Sequence, residues 1–109
     1  MADRMPDEAV VVRGGLNRPA DLRRATATHP VGVTGVSVEC GVGVTIQELA
    51  SVIPHGQVGV TTVGSVRAAG GDVVRSPGRS PNHATLTGLS AEEASRLLTP
   101  TMANPAREP

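Results

Sequence analysis

Three short stretches concentrate the side chains able to do chemistry. In "AVVVRGGLN" a valine run ends on Arg13, followed by Gly14 and Gly15. An arginine beside two residues without side chains lets a phosphate approach both guanidinium and backbone amides. A solvated turn arginine gives the same pattern. In "GVSVE", Ser37 and Glu39 are two residues apart, so a strand presents both on one face. Ser37 is either packing with a local hydrogen bond or a group turned toward Arg13. In "RSPNHATLTG", Arg79, Asn82, His83, Thr85 and Thr87 form the densest polar cluster of the chain. Histidine changes charge near neutral pH, so His83 suits acid–base work, although a lone histidine is also a common structural residue. His29 and His55 each adjoin a proline and are less informative.

The elements that must position these groups are short. Ala9–Arg13 reads as a strand, because β-branched runs favour extended backbone. Pro19 opens a helix running to Ala27. Val31, Val33, Val36 and Val38 alternate on either side of Gly35, which predicts a strand with a bulge near that glycine. Thr45 with Glu48, and Ser90 with Glu93, have the spacing of capping boxes. Behind the first, Ile46, Leu49, Ala50 and Ile53 make one apolar helical face; behind the second, Ala94, Leu97 and Leu98 do the same. Residues 57–61, 72–75 and 82–89 read as strands, and 62–69 as a weak helix. The order β-α-β-α-β-(α)-β-β-α predicts a single small α+β domain over 9–99. It should hold a mixed central sheet and three to four short helices. Residues 1–8 and 100–109 are expected to be flexible ends. "VVRGGLNRP" and "VVRSPGRSP" echo each other, but the elements around them do not repeat, so coincidence of composition suffices.

Composition narrows the function classes. The chain has 109 residues and a formal net charge of zero, which gives no bulk electrostatic case for nucleic acid or an anionic membrane. All ten cations are arginine. That fits forked recognition of phosphate, and equally the codon usage of a GC-rich genome. With no Phe, Tyr or Trp there is no base-stacking platform, so nucleic-acid binding is not expected. The core must be built mainly from sixteen valines, seven leucines and two isoleucines, which predicts a thin core and leaves room for a homodimer or partner interface. Cys40 stands alone, so no internal disulfide or CxxC knuckle forms. No secretory or membrane-spanning pattern is present, and a cytoplasmic setting is the expectation. No metal site is expected. "GVGVTI" lacks the third glycine of a dinucleotide fingerprint.

The order of the three clusters resembles the compact ADP-ribosyltransferase-like toxins of bacteria. In that family a first-strand arginine or histidine, a second-strand serine and a late-strand residue line an NAD cleft. The resemblance implies that Arg13, with Gly14, meets the phosphate or ribose of NAD, and that Ser37 orients the nicotinamide side. It places His83 or Asn82 at the late-strand position. The implied catalytic set is Arg13, Ser37 and His83. The implied cofactor-binding set is Arg13, Gly14, Ser37 and Asn82. Two departures stand against it: the late strand has no Glu or Gln, and no aromatic side chain is present to stack on nicotinamide. The rival class is a non-catalytic interaction module, such as a toxin–antitoxin partner or accessory subunit. A third is a small enzyme acting on other nucleotide phosphates.

Overall fold

The first strand, β1 (Val10–Gly14), lies inside the sheet with a neighbour on each side. The computed structural model describes residues 5–29 and 31–107. After β1 come α1 (Pro19–Ala25), β2 (Ala27–Thr28), β3 (Thr34–Gly41), α2 (Ile46–Ala50) and β4 (Gln57–Thr62). Then follow α3 (Val63–Ala68), β5 (Asp72–Arg75), β6 (His83–Thr87), α4 (Ala91–Leu98) and β7 (Met102–Ala103). A 3-10 turn at Pro105–Arg107 closes the described chain. The strand order is β5-β6-β3-β1-β4-β7, with β2 added beside β3. The domain is α+β with four α-helices, and no helix among the described residues is long and apolar enough to cross a membrane.

The expected mixed sheet is corrected: every strand pair is antiparallel. The cause is β2. Without it, β1-α1-β3 would be a parallel crossover. Ala27 and Thr28 instead pair with Gly35 and Thr34, and this hairpin reverses the chain before β3 enters the sheet. The same pairing ends α1 at Ala25, two residues short of the predicted end. Val31, expected in the strand, lies in the hairpin turn and is exposed.

No bulge occurs at Gly35. Register runs unbroken from Gly35↔Thr87 to Glu39↔His83. A Cβ at Gly35 would collide with the backbone oxygen of Leu86, so the glycine permits close approach of β6. Both capping boxes form: Thr45 Oγ1 accepts from Glu48 N at 3.0 Å, and Ser90 Oγ accepts from Glu93 N at 3.1 Å.

Strand alternation divides the core between two faces. Val11, Val36, Val38, Cys40, Ala84 and Leu86 point to one side, against Leu22 of α1, Val63 and Val66 of α3, and Ala94 and Leu98 of α4. Val12 and Val58 point to the other, against Leu49 and Ala50 of α2 and Ile53. Helix α2 covers only part of that second face.

Both predicted loose ends are partly tied to the domain, the first through the core and the second through the sheet edge. Met5 is buried, and Asp7 pairs with Arg67; Met1–Arg4 lie outside the described residues. Met102 and Ala103 pair with Val58 and Gln57, and Asn104 is buried. Residues 108–109 lie outside the described set.

Candidate active site

A cleft opens where β1 and β3 part company. Their pairing runs from Val10↔Gly41 to Val12↔Glu39 and ends there. Beyond it, Arg13 pairs only with Gly59 of β4, and Ser37 only with Thr85 of β6. The Arg13 guanidinium fills part of the gap, with Nη1 donating to the Ser37 carbonyl at 2.7 Å. It supplies a donor to β3 where β1 no longer does. Burial lowers the Arg13 pKa, and nearby Asp21 opposes the shift. The cleft beside this rivet measures about 650 Å³ and is lined by residues from β1, α1, β3, the α2–β4 loop and the β5–β6 loop.

Its floor is the uncovered part of the second sheet face. Ser37 and Glu39 lie there together, with His83 directly across from Glu39. Residues opposite one another in an antiparallel pair have Cβ atoms about 4.5–5.5 Å apart. Glu39 is only 7% exposed. Its Oε1 is wholly buried and accepts no hydrogen bond from any described residue, and Arg13 Nε, also buried, donates none. A buried oxygen without a donor is costly.

His83 is held from behind. Its Nδ1 lies 3.1 Å from the Ser76 carbonyl and 3.0 Å from Ser76 Oγ. A carbonyl only accepts, so the hydrogen belongs on Nδ1. Whenever the ring is neutral, Nε2 carries the lone pair. Ser76 is itself fixed, with Oγ 2.8 Å from Thr85 Oγ1. Gly78 lies against the ring, and a Cβ there would come 2.6 Å from His83 Cβ. A base oriented by a second group is the arrangement acid–base catalysis needs.

Two buried asparagines pin the walls. Asn17, with φ 55°, donates Nδ2 to the Arg13 and Gly15 carbonyls at 3.1 and 3.3 Å. Ser95 Oγ of α4 donates to the Asn17 carbonyl at 2.7 Å. This fixes the Arg13–Asn17 loop, where Gly15 takes φ 94°. On the other wall, Asn104 Nδ2 donates to the carbonyls of Ile53 and His55 at 3.2 and 2.9 Å. The His55 ring then packs over Gly14, where a Cβ would fall 2.6 Å from Nδ1. At the mouth, Asp21 accepts from Arg18 and Arg24. The Arg18 hydrogen bond is the main reason its carboxyl is pulled down to about 2. Arg79 lines the cleft and makes no ion pair among the described residues.

Arg13, Gly14, Ser37 and His83 therefore meet in one cleft. Asn82 does not join them. It borders a separate hollow with Val44 and Thr45, and its carbonyl accepts from Cys40 N at 2.9 Å. Glu39 shares the predicted face with Ser37, yet the sequence alone did not place it in the candidate set. Asp21 and Arg24 come from α1, and Arg18 from its N-cap, and they carry no local sequence signal for a site. His55 adjoins a proline in a loop, which hid its position over Gly14. Arg13 and Arg75, the paired arginines of the sequence echo, both donate to β3 carbonyls, at Ser37 and Cys40. Among the described residues no group of three His, Cys, Asp or Glu is placed to hold a metal ion.

No protein-family model matches the chain, and no curated protein or solved structure matches it. Cleft geometry and chemistry are left as the basis for function.

Proposed function

We propose that the cleft binds a phosphate-bearing small molecule and performs general acid–base chemistry on it. The meeting of Arg13, Glu39 and His83 on one cleft carries this reading. Four arginines and two carboxylates line it, so it favours an anion. The outer edge of Arg13 and the side chain of Arg79 are the phosphate anchors. His83 Nε2 is the proton acceptor or donor, and Glu39 stabilises positive charge that develops beside it. NAD is the specific ligand the family resemblance suggests. Cleavage of its nicotinamide glycosidic bond, with transfer of ADP-ribose, passes through an oxocarbenium-like transition state that a carboxylate can stabilise. In this version Ser37 orients the nicotinamide side, and Glu39 supplies the carboxylate that the late strand lacks.

A thermal-shift titration with NAD, ADP-ribose and inorganic sulfate tests the reading. A ligand at 100 times its Kd adds about 2.7 kcal/mol of stability. Expected is a rise with NAD or ADP-ribose that Arg79→Ala and Arg13→Lys both reduce, since the lysine keeps the charge and loses the fork. No rise with any of the three overturns it. Nicotinamide release from NAD, abolished in His83→Ala, separates catalysis from binding. Exposed Leu16 and Val52 on the cleft's rim favour a second reading, a surface for a protein partner, if no small molecule binds.

A further inference from the structure

Two imidazoles stand together beside the cleft. The ring centres of His29 and His83 are 6.0 Å apart, with their planes tilted by 46°. His29 follows β2 and His83 opens β6, so two separate strands bring them to one place. Each ring has one nitrogen against a backbone carbonyl. His83 Nδ1 lies 3.1 Å from the Ser76 carbonyl, and His29 Nε2 lies 3.3 Å from the Gly35 carbonyl. A carbonyl only accepts, so each of these nitrogens carries the hydrogen. The other nitrogen of each ring, Nε2 of His83 and Nδ1 of His29, makes no hydrogen bond among the described residues. Each can take or give a proton. One histidine serves one proton transfer at a time. Two serve a reaction that takes a proton at one oxygen and returns one at another. Displacement at a phosphodiester is such a reaction, because the attacking and leaving oxygens lie roughly in line across phosphorus. The groups serving them must stand a few ångströms apart, as these rings do. A phosphate anchor is close by: Gly78 lies against the His83 ring, and Arg79 follows it in the cleft lining.

We infer that His29 and His83 are the acid–base pair of a phosphodiester cleavage, acting on a diester with a hydroxyl on the carbon next to the esterified one. This rests on the proposed anion-binding reading and adds an activity at a P–O bond, where the NAD reaction breaks a glycosidic one. One imidazole, neutral, takes the hydroxyl proton as the hydroxyl oxygen bonds to phosphorus. The bond from phosphorus to the leaving oxygen breaks, and its electron pair stays on that oxygen. The other imidazole, protonated, gives the leaving oxygen its proton. The products are a cyclic phosphodiester and an alcohol, and the two imidazoles end with their protonation states exchanged. A nucleophile inside the substrate is already positioned, so the protein supplies phosphate binding and two proton transfers. Without aromatic side chains the cleft has no platform for bases, so selection rests on the diester and its hydroxyl.

The test is chromatography of the products that the full chain forms from the diribonucleoside monophosphate ApA and from its 2′-deoxy analogue. Wild type is expected to release adenosine and adenosine 2′,3′-cyclic phosphate from ApA. The analogue, which lacks the nucleophile, should stay intact. His29→Ala and His83→Ala should each lower kcat/KM by about 10²–10⁴-fold. The double variant should fall little further, since the pair acts as a unit. A thermal shift with inorganic phosphate should persist in His29→Ala and shows that the variant is folded. If it folds poorly, His29→Asn, which keeps an N–H donor for the Gly35 carbonyl, takes its place. Activity of the His29 variant within about threefold of wild type would overturn the pair, and equal cleavage in every variant would mark a contaminating ribonuclease and overturn it too. So would ApA left intact by a protein that binds phosphate, and in each of these cases the anion site stands. Binding of neither phosphate nor ApA removes both readings.

Discussion

The two faces of the sheet are built to opposite rules from the same strands. On β3, Val36, Val38 and Cys40 face three helices and are almost wholly buried among apolar neighbours. Between them, Ser37 and Glu39 face a single short helix and an open cleft. On β6, Ala84 and Leu86 stand against His83 and Thr85 in the same way. One face buries apolar side chains against helices. The other keeps a carboxyl without a donor. The first face holds the fold, and the second uses the stability so gained to maintain a polar arrangement that does not stabilise the fold.

The largest test of that division is Leu98→Ala. Leu98 has no exposed surface, and its loss should cost about 2–5 kcal/mol in denaturant unfolding. Affinity for a cleft ligand should hold wherever the variant remains folded. Adjacent residues then give the sharper contrast. Val38→Ala removes two buried methyl groups and should destabilise by about 2 kcal/mol. Glu39→Gln, one position on, should leave stability unchanged or raise it by up to about 1 kcal/mol, because a donorless buried charge becomes an amide. A loss of several kcal/mol in Glu39→Gln would mean that the carboxyl serves the fold, and the contrast between faces would collapse. The smallest effect concerns the cleft mouth. The Asp21 carboxyl is held at about 2 against an ordinary value of 3.8, so its native pairing stabilises above pH 3.8 and is lost as pH falls toward 2. The Tm difference between wild type and Asp21→Asn should be steady above that range and close on acidification.

Local chemistry made much of the fold legible. Thr45–Glu48 and Ser90–Glu93 place their helix starts because each cap closes within four residues. Arg13 and His83 are visible because they stand at strand ends beside turn residues. What stayed hidden depends on partners far along the chain. The role of Gly35 is set by the Leu86 carbonyl, more than fifty residues away. Asn104 looks like part of a loose tail until the carbonyls of Ile53 and His55 are set beside it. Period two puts Glu39 with Ser37, but only the β3–β6 register puts His83 opposite, and only the packed structure leaves the carboxyl without a donor. The antiparallel sheet is not legible for a related reason, since a two-residue strand reverses the chain and two residues make no pattern.

The Arg13–Ser37 bond has a consequence for timing. A free arginine side chain samples many rotamers, and fixing one costs about 2 kcal/mol in entropy. Arg13 is already stitched to the backbone of β3 by one of its five N–H groups. The freezing is done when the chain folds, long before a ligand arrives. An anion reaching the outer edge of that guanidinium meets a stationary hand.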